Sequence, residues 1–482
     1  MAKKVTFNID KKKDFSTWYT EIVKEAELAD LRYNVKGFLV FQPMSVLAME
    51  KMYEIYEKKL QEKGHLPYWY PSVIPSSNFL TEKEHVEGFS PDVFWVTEYG
   101  NHQKLEEPLA LRPTSETAFY QMFSLWLRSY KDMPFKTYQR AQVWRNETKA
   151  TRPFIRSREF YWIEAHNAFS SLKEAEKQVK EDMETAKEVL HDRFGIPFLF
   201  FKRPQWDKFP GAVNTYAADA LMPDGKVLQQ PSTHLLGQNF SKAFDVKFKD
   251  KKGKDQYAFI TCYGPAISRI FASMISIHGD NNGLVFPFEV APFQIIIIPI
   301  LLNKNDKEII RKAKSLQKKL SKKYRVHLDL TDNKFGEKFY QWEMKGIPVR
   351  IEIGPKELSK NEVILFRRDT KTKKNVKINL LQKEIEKTGK DLTKNLIEKA
   401  DKEFKNNIIS ISSLSELKKM KGKFAHVDFC SIDKDGEKCA AKIEKEGLEV
   451  RGTRIDVNEK PKGKCIVCGK EAKIVVYIAK SY

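Results

Sequence analysis

The spacing of apolar residues predicts both helices and strands in the first 290 residues. Apolar positions three and four apart predict helices at residues 45–63, 115–130 and 172–194. Short runs of aromatic and β-branched residues predict strands at residues 108–112, 136–145, 158–165 and 226–230. Because these helices and strands do not alternate regularly, residues 1–290 are predicted to form an α+β domain around an antiparallel sheet.

The pattern changes after residue 290. Strands are predicted at residues 293–302, 325–330, 349–353 and 363–368, with helices at 305–324 and 335–345. Such alternation predicts a small α/β domain over residues 291–404, joined to the first by a hinge at 291–292. Residues 405–482 are rich in lysine, contain four of the five cysteines and are predicted to form a third, small α+β domain.

The charge balance allows two interpretations. The chain of 482 residues carries 85 Lys and Arg against 64 Asp and Glu, a net charge of +21. This is typical of a lysine-rich solvated surface or of a protein that binds a polyanion, since clustered basic residues release counterions from phosphates. We expect no membrane span, because no apolar run approaches about 18 residues, and no signal peptide, because the basic residues 1–13 contain no apolar core. Five unevenly spaced cysteines favour a reducing, cytoplasmic compartment.

One candidate ligand site lies between two predicted strands. Arg145 and Glu147 end the first strand, and Arg156 and Phe160 flank the start of the second. Arginine suits phosphate because its planar guanidinium donates two parallel, charge-assisted hydrogen bonds. The carboxylate can accept from an amino group, and the phenyl ring offers a flat face to a base. The alternative is a hairpin with surface ion pairs, which contribute little to stability.

A second candidate is Arg269, which follows a turn at residues 262–268 and begins an apolar helix. Gly264 in that turn can let the backbone approach a ligand closely. The alternative is a strand–turn–helix packing unit whose arginine extends to solvent.

A third candidate is the segment 112–116, in which Thr114 and Glu116 follow a predicted strand. These residues could line a pocket. The alternative is structural, because Thr114 or Ser115 is suited to capping a helix and Glu116 to its first turn.

Four cysteines in the third block have spacing that favours a metal site. Cys430, Cys439, Cys465 and Cys468 are separated by eight, twenty-five and two residues, and the last pair precedes a glycine as in a zinc knuckle. Four thiolates complete a tetrahedral Zn²⁺ site with no open position, so the ion would be structural. A redox pair at 465 and 468 is the alternative. Cys262 is expected to be a packed thiol or part of a pocket wall.

In this order, the two arginine constellations resemble motifs two and three of the class II aminoacyl-tRNA synthetases. Residues 45–71 resemble motif one, which forms the dimer interface in that family. The segments 112–116, 151–156, 206–211, 236–240 and 346–356 match its prolyl-specific branch, and the resemblance covers nearly the whole chain. Only about 110 residues separate Glu159 from Arg269, too few for an inserted editing domain, so the chain resembles the archaeal and eukaryotic type.

The resemblance implies roles for individual residues. In ATP binding, Arg145 and Arg269 would act catalytically on the phosphates and Arg156 would reach the outer phosphates. The implied contacts of the adenine and ribose are Glu147, Phe160, Arg269, Gln229 and Ser232. The implied proline pocket consists of Thr114, Glu116, Arg145, Trp162, Glu164, His166, Phe209 and His234. The implied anticodon contacts are Glu343, Arg350 and Lys356, and Tyr482 would turn back toward the active site.

The resemblance also implies a fold, an activity and partners. A class II catalytic domain would precede an α/β anticodon-binding domain and a zinc-binding domain. The expected reaction activates L-proline with ATP and Mg²⁺, then transfers it to the terminal adenosine of tRNA(Pro). A homodimer is expected, and so is misactivation of the smaller alanine. Threonyl, seryl, glycyl and histidyl relatives, a non-catalytic RNA-binding paralogue and a zinc-finger protein are the alternatives.

Overall fold

An antiparallel sheet forms the centre of the first part of the chain. The computed structural model describes residues 7, 9–78, 93–148, 150–301 and 307–482. The strands of this part are β1 Ala29–Asp30, β2 Val40–Phe41, β3 Leu66–Pro67, β4 Val73–Pro75, β5 Phe94–Glu98, β6 Lys104–Leu111, β7 Phe135–Trp144, β8 Glu159–Phe169, β9 Leu199–Lys202, β10 Asn214–Leu221, β11 Val227–Gly237, β12 Lys247–Lys249, β13 Asp255–Tyr257 and β14 Phe259–Gly264. Strands β9, β10, β11, β14, β8 and β7 lie side by side in that order, all antiparallel. The short β3 pairs parallel with β7 at the sheet edge.

Helices pack against both faces of this sheet. They are Phe15–Glu25, Pro43–Glu62, Glu116–Trp126, Leu172–Ala186, Asn239–Ala243 and Ile267–His278. Capping residues fix where two of these helices begin. The Asp14 side chain accepts from the Thr17 backbone N–H, and Ser171 forms a capping box with Glu174. The apolar helix Ile267–His278 is nearly all buried, so side chains such as Phe271 each contribute about 1.5–3 kcal/mol of burial free energy.

The middle block is a five-stranded sheet in the order β16-β15-β17-β18-β19. Its strands are β15 Ile295–Pro299, β16 Val326–Leu328, β17 Val349–Ile353, β18 Glu362–Arg367 and β19 Thr372–Lys377, and its helices are Lys307–Leu320, Phe335–Met344, Pro355–Ser359 and Leu381–Asn406. The first three strands are parallel and the last two antiparallel. Residues 302–306 of the predicted strand and helix lie outside the described residues. Both faces of β15 are buried, which explains its unbroken run of isoleucines.

The last block joins the first sheet. Its strands are β20 Ile408–Ser410, β21 Phe424–Phe429, β22 Glu449–Arg454 and β23 Ile474–Ala479, and its helices are Leu414–Lys419 and Glu437–Glu444. Strand β22 pairs antiparallel with β9, which makes one continuous eleven-stranded sheet. Gly452 has φ of 122°, and a Cβ there would lie 2.1 Å from the Lys202 carbonyl oxygen, so the close approach requires glycine.

The structure confirms the predicted mixture of helices and sheets, with an antiparallel first sheet and a separate α/β sheet. The predicted boundaries after residues 290 and 404 stay predictions, and the second lies within the last turn of the helix Leu381–Asn406. Within the described ranges, none of the helices combines the length and the apolar character that crossing a bilayer demands.

Candidate active site

A cleft of about 280 Å³ opens on the face of the antiparallel sheet. All the candidate residues of the first block line it except Glu147 and Arg156. The candidates that line it are Thr114, Glu116, Arg145, Phe160, Trp162, Glu164, His166, Phe209, Gln229, Ser232, His234 and Arg269. Four of them occupy alternate positions of β8, and alternate residues of a strand face the same side of a sheet. One strand therefore contributes aromatic, acidic and imidazole groups to a single surface.

Arginines converge at one end of the cleft. Arg145 Nε donates to the Pro113 carbonyl oxygen at 3.1 Å, and its guanidinium carbon lies 5.1 Å from the centroid of the Phe160 ring. Its side chain is exposed to the cleft, yet enough protein surrounds it that desolvation lowers its pKa. Burial, followed by the charges of Arg145 and Arg156, lowers the pKa of Arg269 to about 10. The three charges repel one another, so this end of the cleft favours a polyanionic ligand.

Arg269 lines the cleft, which does not favour the alternative of an arginine that extends to solvent. Its side chain is half-buried at the start of the helix Ile267–His278, and its Nε is buried without a hydrogen-bond partner. A buried, unpaired donor in a cleft is expected to meet a ligand that supplies the acceptor.

Glu147 and Arg156 lie beside the cleft rather than on its wall. They form a half-buried ion pair, with 3.1 Å between Arg156 Nη1 and Glu147 Oε1. Arg156 Nη2 also donates to the Tyr482 carbonyl oxygen at 3.0 Å, which brings the last residue next to this site, as the resemblance implies. The predicted hairpin ion pair therefore exists, but it does not account for Arg145 and Phe160, which face the cleft.

Two buried glutamates, Glu116 and Glu164, also line the cleft, close enough that their charges act on the pKa of Arg145. The Thr114 hydroxyl donates to Glu116, while the Ser115 hydroxyl and Gln139 Nε2 donate to Glu164. Ser115 occupies the N-cap position of the helix Glu116–Trp126 and Glu116 lies in its first turn, as the structural alternative expects, although the Ser115 side chain donates to Glu164 instead of capping the helix. Burial raises the pKa of Glu116 and the nearby Glu164 adds to the effect, while His166 opposes it. A cationic ligand would stabilise the ionised form.

A pair of rings forms another part of the cleft wall. The rings of Phe209 and His234 lie 4.7 Å apart between centroids. Burial lowers the pKa of His234 to about 3, so its ring is neutral, and it hydrogen bonds with Thr215 and Ser232. Cys262 is buried in the wall, as expected, and burial raises the pKa of its thiol.

The sequence interpretation missed several residues around the cleft. Arg203, Asp207 and Lys208 line it. Gln139, on β7, donates a hydrogen bond to Glu164. Gln139 lies on β7 and Arg203 directly follows β9, where a single polar residue carries no local signal of a site. The matched segment at 206–211 pointed to the loop that contains Asp207 and Lys208, but not to these side chains.

The three anticodon candidates lie in the middle block, away from the cleft. Arg350 Nη1 lies 2.9 Å from Glu343 Oε1, so the structure brings these two together. Arg350 is only 3% exposed, also pairs with Glu352, and lies 4.0 Å from the ring centroids of both Phe339 and Phe366. Lys356 is exposed on the short helix Pro355–Ser359.

The four cysteines of the last block come together. The sulfur atoms of Cys430, Cys439, Cys465 and Cys468 all lie within 4.8 Å of one another. A redox pair needs two thiols, whereas four at this spacing supply the complete donor set of a tetrahedral zinc site. The cluster therefore fits Zn²⁺ better than it fits the redox alternative.

Comparison with known families agrees with this geometry. The family model "tRNA synthetase class II core domain (G, H, P, S and T)" matches residues 94–278. The model "Anticodon binding domain" matches residues 294–388, and "Prolyl-tRNA synthetase, C-terminal" matches residues 415–482. The three matches follow the three blocks of the chain.

Individual relatives match over almost their full length. The chain is 48% identical to the Proline--tRNA ligase of Thermofilum pendens, covering 98% of each chain, and 39% identical to that of Pyrococcus horikoshii, covering 97% of this chain and 98% of the relative. The solved structure of Giardia lamblia prolyl-tRNA synthetase in complex with prolyl-adenylate superposes with a TM-score of 0.94 at 35% identity, covering 99% of this chain and all of that chain. The chain belongs to the prolyl-tRNA synthetases, the class II ligases that activate proline with ATP and attach it to tRNA.

Proposed function

We propose that ATP lies with its phosphates against Arg145 and Arg269, and that proline lies between them and Glu116. The observation that carries this proposal is the convergence of two distant arginines on one cleft, close enough that the charge of Arg145 depresses the pKa of Arg269. The buried Glu116 supports it, because a desolvated carboxylate is a suitable partner for the secondary ammonium of proline.

In the first step, a carboxylate oxygen of proline attacks the α-phosphorus of ATP. The new oxygen–phosphorus bond forms prolyl-adenylate, and the bond to pyrophosphate breaks. Arg145 and Arg269 offset the charge that develops on the phosphate oxygens. Arg156 meets the outer phosphates, and ATP enters as its Mg²⁺ complex.

The adenosine and proline contacts follow from the lining of the cleft. The adenine stacks between Phe160 and Arg269 while Glu147 accepts from its amino group. Gln229 and Ser232 border the ribose. The proline ring packs against Phe209 and Trp162, within a wall completed by Thr114, Glu164, His166 and His234.

In the second step, a ribose hydroxyl of the terminal adenosine of tRNA attacks the acyl carbon of prolyl-adenylate. The ester bond forms and AMP leaves. This scheme needs no nucleophile from the protein, so catalysis comes from positioning and charge stabilisation.

Proline-dependent ATP–pyrophosphate exchange tests the first step. We expect Arg145→Ala to lower the exchange rate by at least about a hundredfold, the loss typical of removing one charge-stabilising group. Wild-type exchange in this variant would remove Arg145 from the proposed role.

We also propose that the cleft activates alanine. Alanine is smaller than proline, and each methylene that a ligand lacks is worth only about 1–3 kcal/mol of discrimination in an apolar pocket. Exchange measured with each of twenty amino acids should show proline first and a weaker signal with alanine. Absence of an alanine signal at saturation would contradict this proposal.

The middle block is proposed to bind the anticodon. Glu343 and Lys356 are accessible to a base, whereas Arg350 is buried and acts by orienting the carboxylate of Glu343. Charging of tRNA(Pro) should then be weakened by Glu343→Gln, with proline activation unchanged.

The four-cysteine cluster is proposed to hold a structural zinc ion. Cys430, Cys439, Cys465 and Cys468 would each supply one thiolate, and the ion would stabilise a block whose own apolar core is small. Elemental analysis should find one zinc per chain, lost in Cys465→Ser. Full zinc content in that variant would contradict the proposed donor set.

A homodimer is proposed from the surface around β3. Trp69 is 90% exposed and Leu66 is 60% exposed, next to the edge strand of the sheet. Large exposed apolar side chains at a sheet edge favour association with another copy. Sedimentation should show a dimer that Trp69→Glu weakens. The cytoplasmic location stays a prediction.

A further inference from the structure

A buried ion cluster connects the last block to the wall of the cleft. Asp219 on β10 accepts hydrogen bonds from Arg203, at 2.7 and 2.8 Å, and from Arg451 on β22, at 2.8 and 3.2 Å. The exposed fractions of Arg203, Asp219 and Arg451 are 2%, 0% and 6%. Burial alone would raise the pKa of Asp219, but the two arginine charges outweigh it and the pKa falls, so the carboxylate is ionised.

Arg203 continues this connection into the cleft. Its side chain lines the cleft, and its Nη2 lies 3.3 Å from Oε1 of Gln229. A guanidinium has donors only, so the atom of Gln229 that faces it must be the amide oxygen. The amide nitrogen of Gln229 is thereby left for a ligand in the cleft.

The backbone of the last block also holds Arg203. Its Nη1 donates to the carbonyl oxygen of Arg451 at 2.8 Å. The pairing of β22 with β9 brings Thr453 opposite Lys202, the residue before Arg203. Arg451 thus fixes the guanidinium of Arg203 through Asp219 and through its own backbone.

We propose that Arg451 is a positioning residue for the nucleotide: through Asp219 and Arg203 it fixes the orientation of the Gln229 amide. This inference rests on the contact proposed above between Gln229 and the ribose. The proposed ionic partner of proline is Glu116, which is not a member of the cluster. Loss of Arg451 therefore weakens ATP binding more than proline binding.

Steady-state pyrophosphate exchange with the full chain tests this proposal. We expect Arg451→Met to raise the KM for ATP about tenfold and to change the KM for proline less than about twofold. Arg451→Lys keeps the charge and should recover part of the loss. Arg454→Met is the matched control, because Arg454 lies on the same strand but pairs with the surface residue Asp456; its KM values should match those of the wild type.

Several results would overturn the proposal. A lower active fraction with unchanged KM values would show that Arg451 only holds the blocks together. Equal increases in both KM values, or the same change in Arg454→Met, would also contradict a specific effect on ATP. If Arg451→Met does not fold, Arg451→Lys decides, since its weaker geometry should still raise the KM for ATP several-fold and a wild-type value would overturn the proposal.

The Gln229→Ala variant tests the proposed ribose contact separately from its connection to Arg451. An unchanged KM for ATP in Gln229→Ala would refute the proposed ribose contact itself. A raised KM for ATP in Gln229→Ala, with wild-type behaviour in the Arg451 variants, would refute only the connection through the cluster.

Discussion

Arg269 in the cleft and Arg350 in the middle block are both enclosed by protein, but their charges have opposite surroundings. The charges next to Arg269 include Arg145 and Arg156, its Nε has no partner, and its pKa falls to about 10. Arg350 pairs with Glu343 and Glu352 and lies between two phenyl rings. The contrast indicates that an enclosed charge without an ion-pair partner marks a place prepared for a ligand, whereas a paired charge stabilises the fold.

The largest expected effect comes from removing the unpaired charge. Arg269→Ala should lower proline-dependent exchange by about a thousandfold, because the phosphate charge in the transition state loses a preorganised partner. The unfolding temperature of the ligand-free protein should not fall, since the substitution also removes repulsion among the arginines. Exchange assays and thermal unfolding measure both effects. A marked loss of stability with near-normal exchange would reverse the comparison.

The second largest effect is expected from replacing Glu116, a carboxylate whose pKa is raised. Glu116→Gln should lower exchange by about a hundredfold, since a neutral amide replaces the ionic partner of the proline ammonium. In the wild type, the KM for proline should rise as pH falls through the raised pKa of Glu116, because protonation removes that charge. Exchange measured across pH checks this, and the glutamine variant should lack that dependence.

The same variant bears on stability. Because the pKa of Glu116 is higher in the folded chain than in the unfolded one, its contribution to stability is present at low pH and is lost as pH rises through the folded pKa. At neutral pH, Glu116→Gln should therefore keep or raise the unfolding temperature. A clear decrease would mean that the carboxylate is a structural group rather than a ligand contact.

The paired arginine should have the smallest effect on activation. Arg350→Met leaves Glu352 buried with one partner fewer and should destabilise the middle block by about 3 kcal/mol. Exchange should stay within about twofold of the wild type below the unfolding transition, because the block lies outside the cleft. Lys356→Met is the control, and its exposed position should make the change smaller than about 0.5 kcal/mol. Equal stability of the two variants would contradict the comparison.

Local patterns predicted much of the fold. The strand predicted at residues 349–353 is observed with the same limits, and those at 136–145 and 158–165 correspond to β7 and β8. The middle block alternates as predicted because its parallel strands and covering helices differ in apolar period. Within the candidate site, residues such as Arg145 and Arg269 could be found because they stand in short motifs that match a known family.

The features that the sequence did not predict depend mostly on contacts between distant parts of the chain. The predicted helix at 172–194 ends at Ala186 and continues as a π turn, and the lysine-rich β19 was not predicted because its residues are mostly exposed. Neither the pairing of β22 with β9 nor the cluster of Arg203, Asp219 and Arg451 has a local signal. Each requires segments more than two hundred residues apart to meet.

The pairing of β22 with β9 has a consequence for how the enzyme matures on the ribosome. Chains fold as they emerge, first residues first. Until β22 is synthesised, β9 remains an open sheet edge, able to pair with other nascent chains. A chain stalled before residue 449 would carry the arginines of the cleft but not the strand that closes the sheet. The open edge would make such an intermediate prone to aggregation.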